Sequence, residues 1–184
     1  KPVLFDAITD FEFDGQGATL LFQRTGGRQL VAIHHCMRSE FRNFTIDWDW
    51  ESDPLASVVK LESVSPKLET VRVRFLDCDR FPKQEVRAAD LNRLDPATRR
   101  PDPARALRIP LEFYKGQNKP QVRWIEPNLL EITAKPGTFR AAEAGDTFLL
   151  RHYVYDLNGI DLRINRHLTL DNVTIASAPG MGIL

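Results

Sequence analysis

The densest group of chemically useful side chains lies in the segment IDWDWESD, residues 46–53. An extended strand places alternate side chains on opposite faces. If the strand continues through this segment, Trp48 and Trp50 share one face. Asp47 and Asp49 then share the other. Paired carboxylates beside aromatic rings suit carbohydrate chemistry, because one carboxyl donates a proton, another activates water, and the flat rings stack on sugars. The pattern therefore predicts these four residues as substrate-binding candidates.

Two other interpretations of the same segment stay open. The tryptophans pack as core residues while the acids are solvated, or the acids begin a calcium loop. The calcium loop fits less well, because Ser52 stands where that loop requires glycine and Val58 where it requires a bidentate glutamate. We expect no metal and no cofactor.

A second polar and aromatic cluster is RHYVYDLNG, residues 151–159. It falls where the chain is predicted to pass from one module to the next, and such junctions often hold ligands. Arg151, His152, Tyr155 and Asp156 are therefore further substrate-binding candidates in a groove between two modules. Packing at an interface explains the same residues equally well.

Three reactive side chains stand together at His34, His35 and Cys36. One of two neighbouring strand residues points inward, so a buried, hydrogen-bonded histidine is expected here rather than a metal ligand. The chain has two cysteines, which give no disulfide framework, and Cys36 is expected to be a small buried thiol.

An internal repeat indicates which elements hold these residues. VAIHHCMRSEFRNFTID at 31–47 matches IDLRINRHLTLDNVTIA at 160–176, with an offset of 160 − 31 = 129 residues, and ITDFEFDGQG at 8–17 is a fainter copy. Counted from Ile8 to Phe41, the first copy precedes the second by 41 − 8 = 33 residues. Repeated short strands with one buried face are typical of a solenoid. The matching asparagines, Asn43 and Asn172, predict left-handed bends and a stacked asparagine ladder.

The intervening sequence has a different pattern. Several short strand-like runs separated by turns predict an antiparallel barrel or sandwich. The chain is therefore divided into first solenoid coils at 1–53, an inserted antiparallel module at 54–147, and returning coils at 148–184. QEVRAADLNRL within the module is assigned a short helix.

Composition excludes several function classes. The chain has 184 residues, 42% of them hydrophobic, with 25 basic against 25 acidic residues, which describes an ordinary folded protein rather than a disordered one. No basic, aromatic face for nucleic acid and no long apolar membrane segment is evident. Phosphate-binding loops, zinc-protease motifs and serine-hydrolase elbows are also absent.

The order FEFDGQGATLLF, FRNFTIDWDW, a barrel-like insertion, GDTFLLRHY and LTLDNVTIASAPGMGIL resembles the N-terminal half of the bacterial α-1,3-galactosidase family of glycoside hydrolases. The resemblance implies an all-β fold, a partial right-handed parallel β-helix with an inserted antiparallel β-barrel-like module. It also implies cleavage of terminal galactose from glycans with inversion. In that family the catalytic acids lie on later coils, so no catalytic residue carries over.

Further expectations follow from this resemblance. The partner is a glycan or polysaccharide, with no nucleic acid and no membrane, and the location is extracellular or periplasmic. The open end of the predicted solenoid needs a cap, so we expect either continuation of the same polypeptide or a homodimer. A polysaccharide lyase of the β-helix type, and a non-catalytic carbohydrate-binding or structural solenoid, remain alternatives.

Overall fold

The computed structural model of the chain describes residues 2–23, 29–77, 79, 86–111 and 119–184. These residues form thirteen β-strands and no α-helix, which confirms the all-β prediction. The strands are β1 (Val3–Asp6), β2 (Thr9–Phe22), β3 (Gln29–His34), β4 (Met37–Trp48), β5 (Ala56–Val64), β6 (Thr70–Phe75), β7 (Asp90–Leu94), β8 (Arg108–Pro110), β9 (Gln121–Glu126), β10 (Leu129–Thr133), β11 (Thr147–Arg151), β12 (Asn158–Arg163) and β13 (Arg166–Ile175). Within the described ranges, no helix has the length and apolar character needed to cross a membrane.

The chain divides into two compact units. The first comprises residues 1–54 and 155–184, and the second comprises residues 55–154. All strand pairs of the first unit are parallel and all strand pairs of the second are antiparallel, so we call them the parallel unit and the antiparallel unit.

The parallel unit contains two three-stranded sheets, ordered β1-β3-β12 and β2-β4-β13. Each of three passages of the chain adds one strand to each sheet. Ile160 lies beside Val31 and Leu170 lies beside Phe41, so the predicted pairing at an offset of 129 residues is confirmed.

The first copy is in a different register from the predicted one. Phe13, not Ile8, lies beside Phe41, so the spacing of 33 residues is wrong and the observed spacing is 41 − 13 = 28. The pairing shifts beyond Asp14, where residues 15–17 of β2 bulge opposite the single residue Asn43. A bulge of this kind changes the spacing within one copy, which a fixed sequence offset does not capture.

The asparagine bends and the ladder are both confirmed. Asn43 and Asn172 have left-handed backbones, with φ of 57° and 49°. The Asn172 amide donates to Asn43 Oδ1 at 2.9 Å, and the Asn43 amide donates to Asp14 Oδ1 at 3.1 Å. One side-chain ladder thus spans the three copies at the bend.

The middle copy of the parallel unit forms most of its core. Phe41 is fully buried, and its ring lies 4.8 Å from that of Phe5 and 6.2 Å from that of Phe13. Cys36 is 1% exposed, which confirms the prediction of a buried thiol. Aromatic side chains stacked between copies bury apolar area that no single copy can bury alone.

The antiparallel unit is one seven-stranded sheet ordered β8-β7-β11-β5-β6-β10-β9. Alternate apolar side chains of β5, β6, β10 and β11 pack with Phe139 and Leu111 into its core. No pairing among the described residues closes this sheet into a barrel, because β8 and β9 end it at opposite edges.

Two details of the antiparallel unit differ from expectation. The described part of the predicted helix at 84–94 contains β7, whose residues pair with β8 and β11. The strand β11, most of which was assigned to the returning coils, pairs with β5 and β7. Cross-strand pairing gives the short apolar run of β7 a partner on both sides, which outweighs its local helix propensity.

Candidate functional site

The strand β4 ends beside a carboxylate held by a serine from another copy of the repeat. Asp47 Oδ1 accepts hydrogen bonds from the Ser177 hydroxyl and from the Trp48 backbone N–H, the latter at 2.8 Å. Ser177 follows Trp48 by 129 residues, so the repeat itself places it next to the end of β4. The arrangement fixes the Asp47 carboxylate at the edge of the parallel sheet.

The two tryptophans of this segment have different surroundings. Trp48 is 1% exposed, and its indole N–H donates to the Asp53 carbonyl. Trp50 is 48% exposed, and its indole N–H donates to Ser177 Oγ at 3.1 Å. The expectation that both share one strand face is wrong, because β4 ends at Trp48 and a turn follows.

Asp49 organises that turn. Its carboxylate accepts the backbone N–H of Ser52 at 3.0 Å, and its carbonyl accepts the backbone N–H of Asp53 at 2.9 Å. The hydrogen bond from Ser52 lowers the pKa of the Asp49 carboxyl below its usual value, so Asp49 is ionised at neutral pH. Asp49 therefore shapes the turn that carries Trp50. No group of three or more metal-ligating side chains occurs among the residues described.

We call Asp47, Trp50 and Ser177 the Trp50 cluster. Its hydrogen bonds orient an exposed aromatic ring beside a carboxylate, which is an arrangement suited to an apolar sugar face with hydroxyls at its rim. The sequence analysis missed Ser177. The 129-residue offset, applied to Trp48, was the signal that identifies it.

Arg151 and His152 lie in the antiparallel unit. Arg151 ends β11 opposite Asp90, with its guanidinium 3.8 Å from that buried carboxylate. His152 is buried, and its ring nitrogens lie 3.0 Å from Ser57 Oγ and 2.8 Å from the Arg87 carbonyl. These contacts hold the imidazole in place, and ligand binding by His152 and Arg151 stays a prediction.

Tyr155 and Asp156 lie in the parallel unit. Tyr155 is 72% exposed and has a left-handed backbone with φ of 52°. Its backbone packs against Gly180, where an added Cβ would lie 3.2 Å from the Tyr155 Cα. Asp156 is half-buried. Their membership of one groove with the other candidates stays a prediction.

A second carboxylate of the parallel unit lies on the sheet β1-β3-β12. Asp161 is 2% exposed and lies beside Ala32. The Arg163 guanidinium 2.7 Å away, and to a smaller extent His34 at 3.4 Å, lower the pKa of this carboxyl. His35 is exposed and contacts Asp6 at 2.8 Å. Neither histidine is in the apolar core, because His35 lies at a left-handed bend and His34 faces Asp161.

Comparison with known proteins gives one relevant similarity. Alpha-1,3-galactosidase A of Shewanella woodyi is 24% identical over 197 aligned positions, which cover 100% of this chain and 31% of that protein. The chain thus spans about a third of the length of this relative. No family model matches the chain. The similarity supports a relationship with glycosidases.

Proposed function

We propose that this chain is part of a glycoside hydrolase of the exo-α-galactosidase type, which releases terminal galactose from glycans. The observation that carries the proposal is the Trp50 cluster, an exposed indole fixed beside a carboxylate. The name of the Shewanella woodyi relative supports galactose as the sugar and an α-1,3 linkage as the bond cleaved. We assign the residues of this chain to sugar binding and none of them to bond cleavage.

Trp50 supplies the apolar surface of the proposed subsite. A pyranose has one face rich in C–H groups, which packs against an aromatic ring and removes apolar area from water. The hydrogen bond from the indole to Ser177 holds the ring before a sugar arrives. A ring that is already ordered loses less conformational entropy on binding than a mobile one.

Asp47 supplies the polar contact. Its Oδ1 is occupied by Ser177 and by the Trp48 backbone, whereas its Oδ2 makes no hydrogen bond within the described part of the chain. Sugar hydroxyls donate to carboxylates in short, charge-assisted hydrogen bonds. Because these bonds depend on hydroxyl position, Asp47 discriminates between sugars that stack equally well on Trp50.

The proposal includes the finer fold. The parallel unit consists of coils of a right-handed parallel β-helix, and the antiparallel unit is inserted between two of them. In support, three copies stack in register, and left-handed residues recur at matching positions of each copy, as at Ala7, His35 and Ile164. Right-handed crossovers between parallel strands are strongly preferred.

The proposal also includes a location outside the cytoplasm, either extracellular or periplasmic. Its support is the class of substrate, because glycans with terminal galactose are presented on cell surfaces and secreted molecules. Fractionation of the producing cells, followed by detection of the protein with an antibody, tests this. Detection only with cytoplasmic markers would contradict it.

Binding of α-1,3-galactobiose to the full chain, measured by isothermal titration calorimetry, tests the subsite. Trp50→Ala is expected to weaken binding about tenfold, because it removes the stacking surface. Trp50→Phe is expected to retain most of the affinity. Val122→Ala, which truncates an exposed apolar side chain of the antiparallel unit, is the matched control. Equal affinities of Trp50→Ala and the unmodified chain would refute the assignment.

A further inference from the structure

A polar groove lies on the outer face of the sheet β2-β4-β13. It has a volume of about 340 Å³, and all three copies of the repeat contribute side chains to it. The polar residues used below are Asp10, Glu12, Arg38, Glu40, His167 and Thr169. Its volume is at the lower end of the range for small-molecule sites.

One wall of the groove is a column of matching bends. Asp10, Arg38 and His167 all have left-handed backbones, with φ of 54°, 51° and 52°. Arg38 binds the Asp10 carboxylate through two nitrogens, at 2.6 and 2.7 Å, and this pairing lowers the pKa of Asp10. The ion pair is a preformed wall, and the next member of the column, His167, presents an imidazole to the groove.

The charge of this face is negative. Arg42 contacts three carboxylates, Glu12 at 2.5 Å, Asp14 at 3.3 Å and Glu40 at 3.8 Å. With the pair of Asp10 and Arg38, four carboxylates stand against two guanidinium groups. Glu40 is the least well paired, because its ion pair is the longest and it makes no hydrogen bond within the described ranges.

We propose that this groove binds a hydroxyl-rich ligand that carries a positive charge, which is the chemistry of an amino sugar residue. The uncompensated Glu40 carboxylate attracts the ammonium group. Thr169 lies beside Glu40 in the neighbouring copy, and its hydroxyl meets those of the sugar. The groove is separate from the Trp50 cluster, so this binding does not depend on the proposed hydrolase function.

The test is a titration of the full, isotope-labelled chain with galactosamine and with galactose at pH 7, followed by backbone amide NMR. We expect galactosamine to shift residues 10–12, 38–40 and 167–169, and to bind more tightly than galactose. Glu40→Gln is expected to weaken galactosamine binding about three- to fivefold, because an exposed charge pair contributes modestly. Salt at about 0.5 M is expected to weaken it as well.

Asp171→Asn is the matched control, since Asp171 lies beside Arg42 on the same sheet but does not line the groove. It removes the same charge and is expected to leave galactosamine binding unchanged. Equal binding of galactose and galactosamine, or equal weakening by both substitutions, would overturn the proposal. Shifts confined to the Trp50 cluster would also overturn it while leaving the hydrolase proposal intact.

Discussion

The asparagine ladder allows its hydrogen bonds to be separated from its backbone geometry. Asn43→Ala removes the bonds to Asp14 and Asn172, each contributing about 0.5–1 kcal/mol at this exposed position. It also places alanine at a φ of 57°, which costs about 1 kcal/mol more. We therefore expect Asn43→Ala to destabilise the parallel unit by about 2–3 kcal/mol. Asn43→Gly loses the same bonds without the left-handed penalty, so we expect about 1–1.5 kcal/mol.

Hydrogen exchange measured by mass spectrometry on peptides is the assay, because the chain has two units whose unfolding need not coincide. Peptides from β2, β4 and β13 are expected to lose protection in the order alanine, glycine, unmodified chain. Peptides from β5 and β6 are the internal reference and are expected to be unchanged. Equal protection of β4 in the two variants would refute the role of the left-handed bend, and protection equal to that of the unmodified chain in both would refute the ladder.

Three more substitutions test other contacts of the two units by unfolding in denaturant. Gly159→Ala is expected to cost about 1–3 kcal/mol, because an added Cβ would lie 2.5 Å from the Gly182 carbonyl, whereas Gly182→Ala meets only Ile175 at 3.8 Å and is expected to be neutral. Arg93→Met is expected to cost about 3 kcal/mol, because it leaves the buried Asp146 carboxylate without its 2.6 Å partner; a loss below 1 kcal/mol would contradict this. Asp161 has a lowered pKa in the folded state, so its stabilisation is present above the unfolded pKa and is lost as the pH falls through the folded one. Asp161→Asn is expected to flatten the stability curve in this acidic range, and an unchanged curve would contradict the assignment.

The repeat was the part of the fold that sequence predicted in most detail. Offset matching identified the neighbours of Val31 and Phe41, and the asparagine positions predicted the bend and its ladder. These predictions held because stacked copies place equivalent residues side by side, so similarity in sequence becomes proximity in space. The first copy failed this test because the bulge at residues 15–17 interrupts its register.

The antiparallel unit was predicted only in outline. Short apolar runs indicate strands but do not state which strand pairs with which, and the central place of β11 between β5 and β7 follows from neither composition nor order. The same limit applies to β7, whose sequence favours a helix locally.

The candidate site was predicted in its residue types but not in its geometry. Asp47 and Trp50 were identified, yet the turn after Trp48 separates the two tryptophans into a buried and an exposed one. Strand alternation cannot show where a strand ends. Ser177 joins the site from a position remote in sequence, as only the repeat offset indicates.

The most direct test of the central proposal is incubation of the protein isolated from its natural source with α-1,3-galactobiose, followed by proton NMR of the products. The proposal predicts release of free galactose, with the anomeric signal of the inverted product appearing first. An absence of free galactose, with the disaccharide unchanged, would contradict it. The appearance of an unsaturated sugar from a uronate-containing polysaccharide, with its new double-bond absorbance, would instead assign the protein to the lyases.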